Sequence, residues 1–239
     1  MSLKEYRTSL MPHITALVAD ATAGKAQPLG ALAAPAAPAR RRSLFLTTKT
    51  NQHFLMVLFG GYADIADSLM HLRQIDRYLT RAPGRTSPIT RAAHLSYHYN
   101  AFLNETAIVQ ERIEDHLATI VGKYRFEADS ARIRKAMEEL AKLAAAALRP
   151  LAQLRAQHEQ EKKYTHPEIE RFRIVEMISV SQSSPFSKAA VEQTFKHAKK
   201  IVRETVQEGT VKVEGVVDSV FRVLRQLVMK GNGVRFPVR

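Results

Sequence analysis

The chain contains no cysteine and no tryptophan. The missing cysteine excludes disulfides, thiol nucleophiles and zinc sites with sulfur ligands, and it suits a reducing compartment, so a cytoplasmic location is expected. Aromatic residues make up only 7% of the chain, so few rings are available to interleave with its cations. No run of 18 or more apolar residues occurs, which argues against a membrane-spanning helix and leaves no membrane partner expected. The apolar stretch Phe54 to Phe59 suits a buried helical turn or two. The first residues, Met-Ser-Leu-Lys-Glu, lack a basic segment leading into an apolar one, so no secretory signal is expected. Arg40-Arg41-Arg42-Ser43-Leu44 looks like a twin-arginine signal, but it lies too far into the chain and is followed by the polar stretch Thr47 to Gln52. There is no P-loop, no GxGxxG and no GxSxG, which removes the common nucleotide-binding and hydrolase signatures. No hairpin signal and no internal repeat stand out.

What is present is positive charge. The 239 residues carry a net charge of +13, with 45% apolar and 25% charged residues, an ordinary balance for a chain with a core. Residues 1–50 hold seven Lys/Arg against two acids, net +5, and residues 186–239 hold eleven against five, net +6. The middle, 51–185, therefore carries only +2. A nearly neutral body with basic ends suits a polyanion partner; the plainer alternative is charge that serves solubility.

Apolar spacing predicts helices throughout. Residues 4–20 suit a short helix, and Ala21 to Arg42, with Pro28, Pro35 and Pro38, reads as a flexible arm ending in Arg40, Arg41 and Arg42. Leu55, Leu58, Tyr62, Ile65, Leu69, Leu72, Ile75 and Leu79 recur at three and four, with Gly60-Gly61 marking a close crossing or a kink. Ser87-Pro88 predicts the start of a second long helix carrying Leu95, Tyr99, Phe102, Thr106, Val109, Ile113, Leu117, Ile120 and Tyr124 inward. A third, capped by Asp129 or Ser130, carries Ile133, Met137, Leu140, Ala144, Ala147, Leu151 and Leu154, with Pro150 inside it. A shorter helix follows Pro167. Ser184-Pro185 predicts another ending near Gly209, and a last helix from about Val211 to Lys230, stopped by Gly231. The expected fold is all-α, an antiparallel bundle of long helices with additional C-terminal helices. The division is an N-terminal helix and basic arm at 1–49 and a bundle at 50–239, split into 50–180 and 181–239.

The order of long helices, with Tyr97-His98-Tyr99-Asn100-Ala101-Phe102-Leu103-Asn104-Glu105 on the second, resembles bacterial HEPN-type helical proteins across residues 50–180. That resemblance implies RNA binding, with metal-independent ribonuclease activity in some members, a stress or defence setting, no cofactor, and a homodimer with paired motifs facing one cleft. The family signature is an arginine followed, after four to six residues, by a histidine. Arg7 with His13 and Arg91 with His98 meet the spacing, and only the second pair sits on a long predicted helix. Seven residues is close to two turns, placing Arg91 and His98 on one face about 10 Å apart along the axis. There the guanidinium would hold a phosphate and the imidazole would take a proton from a ribose 2′-hydroxyl. The alternative is a pair of packing or surface residues.

Arg155 and His158 form a second pair near the end of the third helix, too closely spaced for the motif. Both are kept as catalytic candidates beside Arg91 and His98, although a charged helix end explains the pair more simply. His94 and His98, at i and i+4, lack a clear third ligand, so no metal is expected. Lys196, Lys199, Lys200 and Arg203 make a basic stripe opposite Val191, Phe195, Ala198 and Val202; with Arg40, Arg41 and Arg42 they are the candidate nucleic-acid contacts. The rival readings are a non-catalytic helical interaction protein and a DNA-binding accessory protein.

Overall fold

The computed structural model describes residues 3–23, 49–81, 83, 89–161, 166–179, 187–230 and 233–237. Arg40, Arg41 and Arg42, and the expected arm around them, lie outside the described residues, as do the Ser87-Pro88 and Ser184-Pro185 signals. Six helices are present among the described residues: α1 Leu3–Ala23, α2 Lys49–Thr80, α3 Arg91–Lys123, α4 Ser130–Glu161, α5 Pro167–Ser179 and α6 Lys188–Val228. A two-residue hairpin, β1 Met229–Lys230 with β2 Gly233–Val234, follows α6. The fold is an all-α helical bundle, and no helix among the described residues is long and apolar enough to cross a membrane.

The apolar stripes are the buried faces. Every member of the expected stripe from Leu95 to Tyr124 is buried, Tyr124 standing just past the end of α3, as are Leu55, Leu58, Ile65, Leu69, Leu72, Ile75 and Leu79 of α2. Each fully buried large apolar side chain contributes about 1.5–3 kcal/mol relative to exposure, so these faces hold the helices together. On α4 the stripe turns slightly at its middle, where Leu148 is buried and Ala147 only half-buried, and the helix continues through Pro150.

The chain divides into two compact units, each assembled from separated segments. The first comprises Met1–Asp64, Ile113–Ala141 and Asp218–Arg239. Its aromatic centre is Phe221, which meets Tyr6 edge-on at 4.9 Å and Tyr62 at 6.1 Å, with the His116 imidazole stacked at 6.1 Å. The Leu3 amide donates to Asp218 at 2.7 Å and ties the start of α1 to α6. The buried Tyr124 hydroxyl donates to the Arg235 carbonyl, and the Arg235 guanidinium reaches Asp129 at 3.2 Å, which fastens the segment after the hairpin. Gly61 is the close approach that the glycine pair predicted: a Cβ there would stand 1.9 Å from His116 Nδ1. Gly60 faces open space and α2 runs through both.

The second unit comprises Ile65–Arg112 and Lys142–Val217. Here α2 and α3 run antiparallel, with Arg112 donating to Ser68 at 2.7 Å and the His71 imidazole 3.8 Å from Glu105. Likewise α2 and α6 run antiparallel, joined by Arg73 to Glu214 at 2.6 Å, Arg203 to Asp76 at 2.7 Å, and Lys199 to the Thr80 carbonyl at 2.6 Å.

Two expected boundaries differ. The predicted pair of C-terminal helices is one 41-residue helix, α6, and Gly209 lies inside it. The helical cost of glycine, about 1 kcal/mol relative to Ala, is accepted because a Cβ at Gly209 would stand 2.4 Å from Phe102 Cζ. The α3 helix begins at Arg91 rather than Pro88. Its cap is Thr90, whose hydroxyl accepts from the Ala93 amide at 3.1 Å. Ser187 does the same for α6, accepting from Ala190 at 3.1 Å.

Candidate nucleic-acid interface

The start of α3 is held by two acids from other helices. The Glu176 carboxylate on α5 accepts from the Arg91 and Ala92 amides, each at 3.0 Å, so it occupies the positive end of α3. The Arg91 guanidinium donates to Glu192 on α6 at 2.7 Å and lies over the Phe195 ring at 4.8 Å. A cation so placed anchors α3 to α6; its charge already has a carboxylate partner.

His98 lies among rings instead. Its imidazole stacks on Tyr78 at 5.6 Å with an interplanar angle of 19°, and it meets His94 edge-on at 4.6 Å and Tyr97 at 5.2 Å. Burial, and then the neighbouring His94, push its pKa below the usual imidazole range, so the neutral ring prevails near pH 7. His94 Nε2 is buried without a hydrogen-bond partner among the described residues. No group of three His, Asp or Glu side chains in metal-holding proximity occurs among the described residues. Arg91 and His98 thus share a helix but have different neighbours: Glu192 and Phe195 for the first, Tyr78, His94 and Tyr97 for the second.

The remaining candidates separate as well. Arg155 lies 3.7 Å from Glu111, a loose surface pair, and the His158 side chain lies outside the described residues. On α6, Lys196, Lys199, Lys200 and Arg203 line an open hollow of about 380 Å³ with Glu204 and Gln207. Two of these cations are also structural. Lys199 caps the C-terminal carbonyl of α2 at Thr80, the negative end of that helix, and Arg203 pairs with Asp76, whose hydrogen bond holds the guanidinium pKa above its usual value. Lys200 is 3.9 Å from Glu204, and Lys196 is exposed with no acid partner among the described residues.

Residues outside the sequence-based set complete the surface. Arg77 and Arg81, four apart at the end of α2, are exposed, and among the described residues neither guanidinium has an acid partner. At about 100° per residue they lie between two flanks of α2. One flank, with Asp76 and Thr80, faces α6; the other, with Tyr78, faces His98 on α3. Tyr78 and Tyr97 are exposed aromatics standing off the apolar stripes of their helices, and that position is the signal by which the sequence reveals them.

Comparison of the chain with family models, curated proteins and solved structures returns no match.

Proposed function

We propose that this chain is an RNA-binding helical protein whose contact surface is the second unit's band from α6 across the end of α2 to α3. The observation that carries the proposal is a set of exposed cations without acid partners among the described residues, Arg77, Arg81 and Lys196, beside the Lys199, Lys200 and Arg203 stripe. Cations that have no internal carboxylate release phosphate counterions at full effect when a polyanion binds. The HEPN resemblance favours RNA as the polyanion, and the lack of cysteine suits a cytoplasmic setting.

The proposal is binding rather than cleavage. A phosphate-gripping arginine needs a free guanidinium fork, and Arg91 is engaged by Glu192. The interaction-protein alternative shares this Arg91 geometry and differs in needing no cationic band.

Salt titration of binding to a single-stranded RNA tests the proposal. Three to six cations predict a log–log slope between about −2 and −4, at roughly −0.7 per phosphate on a single strand. Arg77→Ala with Arg81→Ala should reduce the magnitude of that slope by about 1.4. Lys199 and Arg203 are poor choices for this test, since each also holds the end of α2. Absence of binding, or binding indifferent to salt, overturns the proposal.

A further inference from the structure

We infer that the Tyr78–His98–Tyr97 cluster is a stacking site for an unpaired nucleobase, so that the strand recognised by this band is single rather than double. The inference rests on the polyanion-binding reading above and specifies the substrate class of that same surface.

Three rings gather at one place on the α2–α3 flank. Tyr78 lies on the His98 imidazole, and Tyr97 meets that imidazole at 78°. Neither tyrosine contributes to the core: Tyr97 is 70% and Tyr78 44% exposed, while Leu95, Tyr99, Ile75 and Leu79 on the adjoining positions are buried. Exposed ring faces beside cations are the two components of single-strand binding. The cations follow the phosphates, and the rings take the bases, whose flat faces are accessible only when unpaired. Arg77 and Arg81 supply the cations here, one residue before and three after Tyr78. A duplex offers the same phosphates but keeps its bases stacked inside, so it would use the band and leave the rings unoccupied.

His98 orients the platform. Its stacking limits the rotation of the Tyr78 ring, which lowers the ordering cost when a base lands on the exposed surface. The chain has no tryptophan, so tyrosine is its largest exposed stacking surface.

The test uses the full chain and a 12-nucleotide RNA carrying one 2-aminopurine, whose emission falls when it stacks on an aromatic ring. Binding should quench the probe. Tyr97→Ala should weaken binding about 5- to 150-fold, the range for loss of one base–ring contact, and should relieve the quenching. Tyr97→Phe should retain both. Tyr78→Ala should act as Tyr97→Ala does, and because Tyr97 is the more exposed, its variants remain informative if Tyr78→Ala misfolds. The same RNA annealed to its complement should bind more weakly at equal salt. Replacing the bases by abasic sites should cost as much as Tyr97→Ala.

The inference is overturned if Tyr97→Ala and Tyr78→Ala bind within twofold of the parent, or if abasic and intact strands bind alike. A salt-dependent affinity surviving in those experiments would leave the electrostatic reading standing and remove the rings alone. Absence of binding by the parent protein to any strand overturns both. Equal quenching with a single-stranded DNA of the same sequence supports the stacking site while removing the preference for RNA.

Discussion

Gly60 and Gly61 are adjacent in α2, yet alanine at the two positions should move stability in opposite directions. In a helix interior, Gly→Ala gains up to about 1 kcal/mol from the lower backbone entropy of the unfolded chain. At Gly60 nothing stands within 4 Å of the new Cβ, so that gain should appear nearly undiminished. At Gly61 the Cβ would stand 1.9 Å from His116 Nδ1 and 2.4 Å from both Cγ and Cε1. Carbon–nitrogen contacts this short require the imidazole to move by more than about 1 Å. His116 is only 5% exposed and stacks on Phe221, so it has little room to move. Overpacking of this kind costs about 1–3 kcal/mol and outweighs the helical gain.

Urea denaturation followed by circular dichroism measures both. Gly60→Ala should raise the midpoint and Gly61→Ala lower it at unchanged slope, with the two variants separated by the overpacking cost of about 1–3 kcal/mol. Adding His116→Ala to Gly61→Ala should recover part of the loss, because the ring that the new methyl group strikes is then gone. A coupling of 0.5 kcal/mol or more is expected for residues in such contact. If Gly61→Ala proves as stable as Gly60→Ala, the close approach of α2 and α3 at His116 is wrong.

Two further outcomes follow from the buried and half-buried histidines. Burial pushes the His116 pKa down from 6.5 to about 4, so unfolding takes up a proton between those values. Its contribution to stability is complete above about pH 6.5 and is lost as pH falls toward 4, by roughly 3 kcal/mol in all; His116→Leu should flatten the denaturation midpoint across that window, and an unchanged pH profile would refute the assignment. With Arg91 engaged by Glu192, the purified protein should leave single-stranded RNA intact in the presence of a chelator; cleavage giving 2′,3′-cyclic phosphate ends and abolished by His98→Ala would show instead that the Arg91–His98 pair is catalytic.

The long helices were legible because burial follows local spacing. The α3 stripe from Leu95 to Tyr124 needs only a period near 3.6, and a helix with that pattern buries that face whichever helix covers it. Gly209 was not legible as a helix interior, because its purpose lies in Phe102 on another helix, and from the sequence alone a glycine reads as a stop. The same limit applies to Arg91. Its place on one face with His98 follows from spacing, whereas Glu176 and Glu192, distant in the chain and brought together by α5 and α6, do not. Tyr78 and Tyr97 were within reach. Both are off-stripe aromatics in otherwise well-patterned helices, and scarce rings placed outside a core are informative.

The cations at the α2–α6 contact carry unequal roles that net charge conceals. Lys199 and Arg203 meet the Thr80 carbonyl and Asp76, so much of their charge is engaged inside the molecule. Those contacts also fix the last turns of α2, which carry Arg77 and Tyr78 and lead into Arg81. Loss of Asp76 would therefore free Arg203 of its carboxylate partner and raise the positive potential, yet loosen the turn that sets Tyr78 beside the exposed Arg77 and Arg81. An increase in charge should then come with weaker recognition of a single strand, the opposite of what an electrostatic account alone requires. On the proposed reading, affinity at this surface should depend on where the cations are held as well as on how many there are, with Lys199 and Arg203 engaged within the fold and Lys196 left to meet a polyanion.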